Sequence, residues 1–444
     1  MGTTAASVLD ARVHQNIGDF IEVALTTALD TSVEVISTNL NKYDDGNNDH
    51  FNGRWCYVTN YVAAGEDRKI YDYVTATGAL SVRGAAFTSD SSDLATVRIY
   101  RYSYTNTQRA INDAIRELSD YLFVYVDDRS LVTNNALWDG HMEYWTDSST
   151  LTFWAVESGG TLAQTTTAGL YRGPLGSTSA LFTGDTDSGF FQQTSDVNPR
   201  LLDLENQTVS LYGWAYPEIA DDPAITLYTL QADTAATAQT LTSTTTAVAG
   251  QWTLIKLESQ ALNSDLIECN FRLGNATDTA TCYWDNVRLI GGAVHEYLLP
   301  ERFQDGDVKQ VYVQVGGHSD YPADDIMPTE WEPVYGWEII NNGTYKFLYL
   351  PKTYANNKQI RLVGTSPLTE LSTYSGTTEV SGKQVNLLVA YSCYCLFRNE
   401  LGVASSEDTK RLEDRRDYWF AIAQRYKSTL GMAPPKRFMN LPNY

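Results

Sequence analysis

Five histidines, His14, His50, His141, His295 and His318, are scattered along the 444 residues, and none joins an H-E-x-x-H pair. That spacing would put two imidazoles on one helix face to hold zinc. There is no G-x-x-x-x-G-K-[ST], no G-x-S-x-G, and no G-x-G-x-x-G opening a helix. Phosphate cradles, nucleophile elbows and dinucleotide folds need those glycines for close backbone approach. Carboxylate pairs occur at Asp127-Asp128, Asp221-Asp222 and Asp324-Asp325. Acid–base work needs carboxyls facing across a substrate, and sequence neighbours in a loop are normally solvated. The chain is expected not to be an enzyme. The five cysteines (Cys56, Cys269, Cys282, Cys393, Cys395) have no metal-ligand spacing. Cys393 and Cys395 stand two apart on a predicted helix, about 200° around it, and read as packing residues. Cys269 and Cys282 flank a predicted hairpin turn at 275–278. A disulfide between them is the less expected outcome, because assembly in a cytoplasm disfavours it.

What the sequence offers instead is aromatic rings on a polar background. It has 29 Tyr and 10 Trp, ordinary apolar content and a net charge of −22. Such composition suits β-rich proteins with wet binding surfaces. The negative charge argues against a general nucleic-acid binder, which should be basic. It leaves open a lumen past which DNA slides. No apolar run approaches the roughly 20 residues that cross a bilayer. Met1 to Asp10 shows no basic region leading into an apolar core, so no secretory leader is expected.

The elements that must position these rings read in order as follows. Residues 1–105 give a short leading segment, then strands over 20–35, 55–62, 68–74, 79–83 and 97–104, expected to form a small β-sandwich or barrel. A helix is predicted over 106–126, with Ile111, Ala114, Ile115, Leu118 and Leu122 as its buried stripe. Residues 136–291 hold 18 acidic and 5 basic side chains, more than half the net charge. Eight or nine short strands recur there between turn signals, which suggests a two-sheet jelly roll. Strands resume after Gly291-Gly292, with a hairpin at Asn342-Gly343. A helix over 384–401 is apolar nearly all round and should be buried. A second runs from about Ser405 to Leu430 with Leu412, Trp419, Ile422, Ala423, Tyr426 and Leu430 on one stripe. The proline-containing stretch 432–444 closes the sequence.

Within 136–291, four ordered cues resemble carbohydrate-binding modules of the jelly-roll type: Asp139–Trp145, Val209–Ala215, Gly250–Thr253 and Cys282–Leu289. The resemblance implies a glycan ligand stacked on Trp145, Trp154, Trp214, Tyr216, Tyr228 and Trp252. The alternative is that these rings fill the core. In such modules the first and last strands often share a structural Ca²⁺, which would fall to Glu143 and Asp285 here. Their oxygens suit a hard cation, against the alternative of a solvated edge pair.

The flanks, 1–135 and 292–444, resemble head-to-tail connector proteins of tailed bacteriophages. The likeness rests on the helix Asn106–Ile115, the late helix pair and the extended tail. It implies an α+β, β-rich fold in which a small β-domain with long packing helices carries an inserted jelly-roll β-sandwich. The parts would be 1–135 and 292–431 for the core, 136–291 for the insertion and 432–444 for a docking tail. The implied function is a virion neck component, assembled in the host cytoplasm as a closed ring of about twelve copies. Its partners would be the portal protein, the next neck or tail protein, genomic DNA passing through and a host surface glycan, with no membrane. Arg411, Arg415 and Arg416 would face DNA or a neighbouring subunit. Pro434, Pro435, Lys436, Arg437, Phe438, Met439, Leu441 and Tyr444 would dock on the portal, the prolines pre-extending the chain. The rival readings are a tail-fibre or baseplate receptor-binding protein and the binding module of a polysaccharide-active protein.

Overall fold

A computed structural model describes residues 2–29, 33–89, 93–172, 176–185, 189–220, 222–232, 236–244, 246–275, 280–315, 330–402 and 408–430. The chain forms two compact units, one of residues 1–124 with 367–444, the other of residues 125–366. No helix is long and apolar enough to cross a membrane among the described residues. The docking tail expected over 432–444 lies outside them.

The first unit is built on one antiparallel sheet of six strands, which curls toward the expected barrel: at the end of one edge strand Thr26 N–H donates to Ile36 O of the other at 3.0 Å, and Val23, Val35, Cys56, Ile70, Leu80 and Val97 share one core. Its order is Ile21–Ala24, Thr96–Tyr100, Trp55–Val58, Asp67–Val74, Ala79–Val82, Glu34–Ile36. A helix that the apolar pattern hides, Ala6–Asn16, precedes it. Two of the positions it buries are Asp10 and His14, so apolar periodicity alone misses it. The helix expected over 106–126 runs from Tyr104 to Glu117, started by the Ser103 hydroxyl, which accepts the Asn106 N–H at 3.3 Å. It ends early because Phe123–Asp128, in which aromatic Phe123 and Tyr125 alternate with β-branched Val124 and Val126, goes into a strand. Lys383–Leu401 buries Leu387, Leu388, Cys393, Cys395 and Phe397, as an all-round apolar helix should. Thr409–Leu430 buries only Leu412 and Ala423.

In the second unit two five-stranded antiparallel sheets form a β-sandwich. One has the order Ala155–Ser158, Phe190–Thr194, Leu266–Asn275, Pro223–Gln231, Ala238–Thr242. The other runs Gly160–Thr165, Ser179–Gly184, Thr281–Ile290, Thr208–Pro217, Thr253–Ala261. Phe191, Leu227, Phe271 and Leu273 of the first sheet share one core with Leu211, Trp284, Val287 and Leu289 of the second. Gly213 of the second sheet leaves room for Ile225 of the first, since a Cβ there would lie 2.9 Å from both Ile225 Cδ1 and Val287 Cγ1. Cys269 and Cys282 belong to different sheets and are free, so the expected hairpin between them does not exist. This unit also takes in residues 292–366, which the connector resemblance had assigned to the flanks. They form a three-stranded sheet, with the Asn342-Gly343 hairpin where expected, and most of a four-stranded one. In the latter, Ile360–Pro367 lies beside Phe123–Asp128, with Arg361 paired to Asp127.

Candidate glycan-binding faces

The strand alternation divides the six rings expected to stack on sugar. Trp154 is a core residue, 5.7 Å from Phe191 and 6.0 Å from Phe271 between ring centroids, so no ligand reaches it. Trp145 also packs against the core and spends its Nε1–H on Met142 O at 2.7 Å. Trp214, Tyr216 and Trp252 come together on the outer side of the second sheet. There Trp214, only 8% exposed, is capped by the Arg172 guanidinium 3.9 Å from its ring. Tyr228 is on the outer side of the first sheet, facing the other way, because it alternates with the core residues Leu227 and Thr229.

Around Tyr228 the sheet carries an arrangement that no sequence motif announces. Its neighbours across the ladder are Asn270 on one side and Thr240 on the other, and in the adjacent row Arg272 lies between Gln192 and Thr226. The Arg272 guanidinium sits 4.4 Å from the Tyr228 centroid and 4.6 Å from that of Phe190. Its Nε–H donates to Gln192 Oε1 at 2.9 Å. Burial holds its pKa below the usual arginine value, against the opposing effects of Glu268, Tyr228 and Glu157. Asn270 donates Nδ2–H to Glu268 Oε1 at 2.6 Å, and its buried Oδ1 has no hydrogen-bond partner. Phe190, Gln192, Glu268, Asn270 and Arg272 were not singled out from the sequence. The usable signal was the alternation within Phe190–Thr194 and Leu266–Asn275, which puts amides and charges on one face.

Glu143 and Asp285 interact electrostatically, though each already has partners. Glu143 Oε1 accepts the N–H groups of Ser177 and Thr178 at 2.6 and 2.9 Å, and Oε2 accepts the Ser177 hydroxyl at 2.8 Å. Asp285 is fully buried, its Oδ2 accepts Arg172 N–H at 2.7 Å, and its Oδ1 has no partner. Burial pushes its carboxyl well above the usual range, and the charge of Glu143 adds to that. No group of three or more His, Cys, Asp or Glu placed to hold a metal is found among the described residues. Glu143 also lines a cavity of about 400 Å³ with Asp128, Asp139, His141, Glu301 and Arg302. Three of its acids, Glu143, Asp139 and Asp128, are occupied. Asp139 accepts the N–H groups of Glu143 and Tyr144, with burial raising its carboxyl to about 8, and Asp128 accepts Ser130 N–H and Oγ–H. His141 is lowered to about 3 by burial and the nearby Arg288 charge, so it stays neutral. The paired acid Asp127 is held by Arg361 and Arg129, and Asp221, Asp324 and Asp325 lie outside the described residues.

The three arginines expected at DNA or a subunit boundary lie on the helix Thr409–Leu430, and two of them pair with nearby acids. Arg411 pairs with Asp408 and Arg416 with Asp417, each at 2.7 Å, while Arg415 lies 5.7 Å from the Phe397 ring centroid.

No protein-family model matches the chain, and no curated protein matches it. Among solved structures, it is similar to the enzymatically active domain of bacteriophage CBA120 tailspike protein 4. That match has 14% identity and a TM-score of 0.28, covering 36% of this chain and 22% of that one. The CBM22-2 xylan-binding domain of Paenibacillus barcinonensis Xyn10C matches at 16% identity and a TM-score of 0.27, over 32% of this chain and 94% of that one. The tandem CBM22-1–CBM22-2 domain of the same protein matches at 12% identity and 0.28, over 56% and 95%.

Proposed function

We propose that this chain is a non-catalytic carbohydrate-binding protein, and that the outer face around Tyr228 and Arg272 takes a glycan. The observation that carries this reading is a half-buried guanidinium held between two aromatic rings, with no salt bridge among the described residues. Such an assembly partly desolvates a cation whose nearby acids, Glu268 and Glu157, form no salt bridge with it among the described residues. A sugar supplies what it lacks. Hydroxyls accept from the free guanidinium nitrogens and donate to Glu268, while a C–H face of the ring lies on an aromatic side chain. Glu268 and Glu157 balance Arg272 locally, which suits an uncharged glycan better than a uronate. A structural Ca²⁺ belongs to the same proposal. Asp285 Oδ1 and the Glu143 carboxylate would hold it, and its charge would compensate two coupled acids.

A glycan array followed by calorimetry tests the reading. The intact chain is expected to retain neutral polysaccharides. Tyr228→Ala and Arg272→Ala should each weaken binding about tenfold or more, the size of a lost desolvated cation–π contact or charged hydrogen bond. Silence across neutral glycans at millimolar sugar would sink it.

A second reading concerns the first unit. Thr409–Leu430 shows Tyr418 at 59% and Phe420 at 40% exposure, more apolar surface than a solvated helix needs. We propose that this helix meets a neighbouring copy, giving the ring of a virion neck protein with portal and tail proteins as partners. Sedimentation and negative-stain images of the purified chain are expected to show closed rings. A monodisperse monomer at tens of micromolar would end that reading.

A further inference from the structure

We infer that the sandwich carries a second, independent glycan site on its opposite face, so that one chain grips two glycan strands at once. The inference rests on the reading that the Tyr228 face binds sugar, and extends it to a surface of different chemistry.

The second site is a row of rings across three adjacent strands. Tyr216 stands directly opposite Tyr283, and Trp252 adjoins Thr253, whose ladder partner is Ala215. The Tyr216 centroid lies 5.7 Å from Trp252 at 65° and 5.8 Å from Tyr283 at 79°. Cross-strand aromatic pairs of this kind stabilise a sheet. These three, however, sit on the outside, because the alternate positions Ala215 and Trp284 fill the core. Each ring is partly exposed. Trp252 Nε1–H donates to Gly169 O at 3.0 Å, which fixes that indole. Arg172 over Trp214 closes the patch on the next row. With strands about 4.8 Å apart, the three rings span roughly 10 Å, on the scale of a disaccharide. Among the described residues no cation lies over any of these three rings, so this row would take a flat, neutral stretch of polysaccharide by ring stacking, with phenol hydroxyls as its polar groups.

The two faces are back to back across sheets packed about 10 Å apart, so a single strand cannot lie on both. Two separate strands can. Tethering one then raises the local concentration of the other site near the same polysaccharide, a gain that needs no additional contact.

Calorimetry with neutral hexasaccharides of β-1,4-linked glucose, mannose and xylose decides it, with circular dichroism confirming that each variant is folded. The intact chain is expected to bind two equivalents of the best ligand. Trp252→Ala should bind one, Tyr228→Ala one, and the double variant none, while Trp252→Phe, which keeps a ring, should restore the second. One equivalent that Tyr228→Ala removes and Trp252→Ala leaves untouched would overturn the second site and leave the first standing. One equivalent lost only with Trp252→Ala would overturn both the two-strand inference and the Tyr228 reading. No binding at all would remove the two together.

Discussion

Trp284→Ala is expected to destabilise the sandwich by about 3–5 kcal/mol, the usual cost of deleting a large buried ring. Trp284 is completely buried, in the central strand of its sheet, at the level where Gly213 leaves room for Ile225 of the other sheet. Little can collapse into the space it would leave, because the strands on both sides are held in register. Melting followed by circular dichroism should show the β transition falling by about 10 °C or more. The helical unit's transition serves as the internal reference. A shift of only a degree or two would mean that the core repacks, and that the sheets are less tightly registered than their hydrogen bonds indicate.

His14→Ala is expected to cost the first unit a similar amount, about 3–5 kcal/mol, because it strands a buried carboxylate. His14 lies flat on Tyr100, with ring centroids 3.6 Å apart and planes 1° from parallel. Its Nε2 is 3.1 Å from Thr107 Oγ1 and 3.5 Å from Asp10 Oδ1, and its Nδ1 is 3.6 Å from Asp19 Oδ2. Burial alone would lower its pKa, but the two carboxylates outweigh burial and raise it above 6.5. The folded state therefore holds a proton more tightly than the unfolded chain. The resulting stability is complete below the unfolded pKa near 6.5 and is lost as pH rises through the higher folded value. Melting of the intact chain between pH 6 and 9 should show the first unit weakening as the pH is raised. His14→Ala should lose that dependence, and an unchanged slope in the variant would show that His14 is neutral in the fold.

The contrast between these two residues shows which parts of the structure could be read from the sequence. Trp284 ends the plainly alternating run Thr281–Trp284, and the sandwich was legible because period-two patterning and turn residues are local. The Asn342-Gly343 hairpin was legible for the same reason. His14 and Asp10 belong to a helix whose buried face is partly ionic, and a pattern of apolar residues cannot show such a face. The two outer aromatic faces were missed for another reason. Tyr228, Tyr216 and Trp252 were all recognisable as rings in strands, but which side each faces depends on register and on which sheet its strand joins. The four-residue apolar run Leu122–Tyr125 invited a longer helix until a partner strand, 235 residues further on, took it into a sheet. Arg272 is a single charge among alternating residues, and only the neighbouring strands, which put Phe190 and Tyr228 on either side of it, give it a role.

The chain enters the sandwich unit along Phe123–Asp128 and leaves it along Ile360–Pro367, and these are neighbouring strands of one sheet. Just beyond them, Val132 and Gln359 form an antiparallel bridge. Tension applied between the two ends of this unit would therefore not stretch the sandwich along its strands. It would act across the hydrogen bonds of the entry pair, opening them one after another from the outer end, like a zip. The Arg361–Asp127 pair lies near the inner end of these strands, so it is among the last fastenings to open. Under such a pull this strand pair opens before the two stacked five-stranded sheets are loaded.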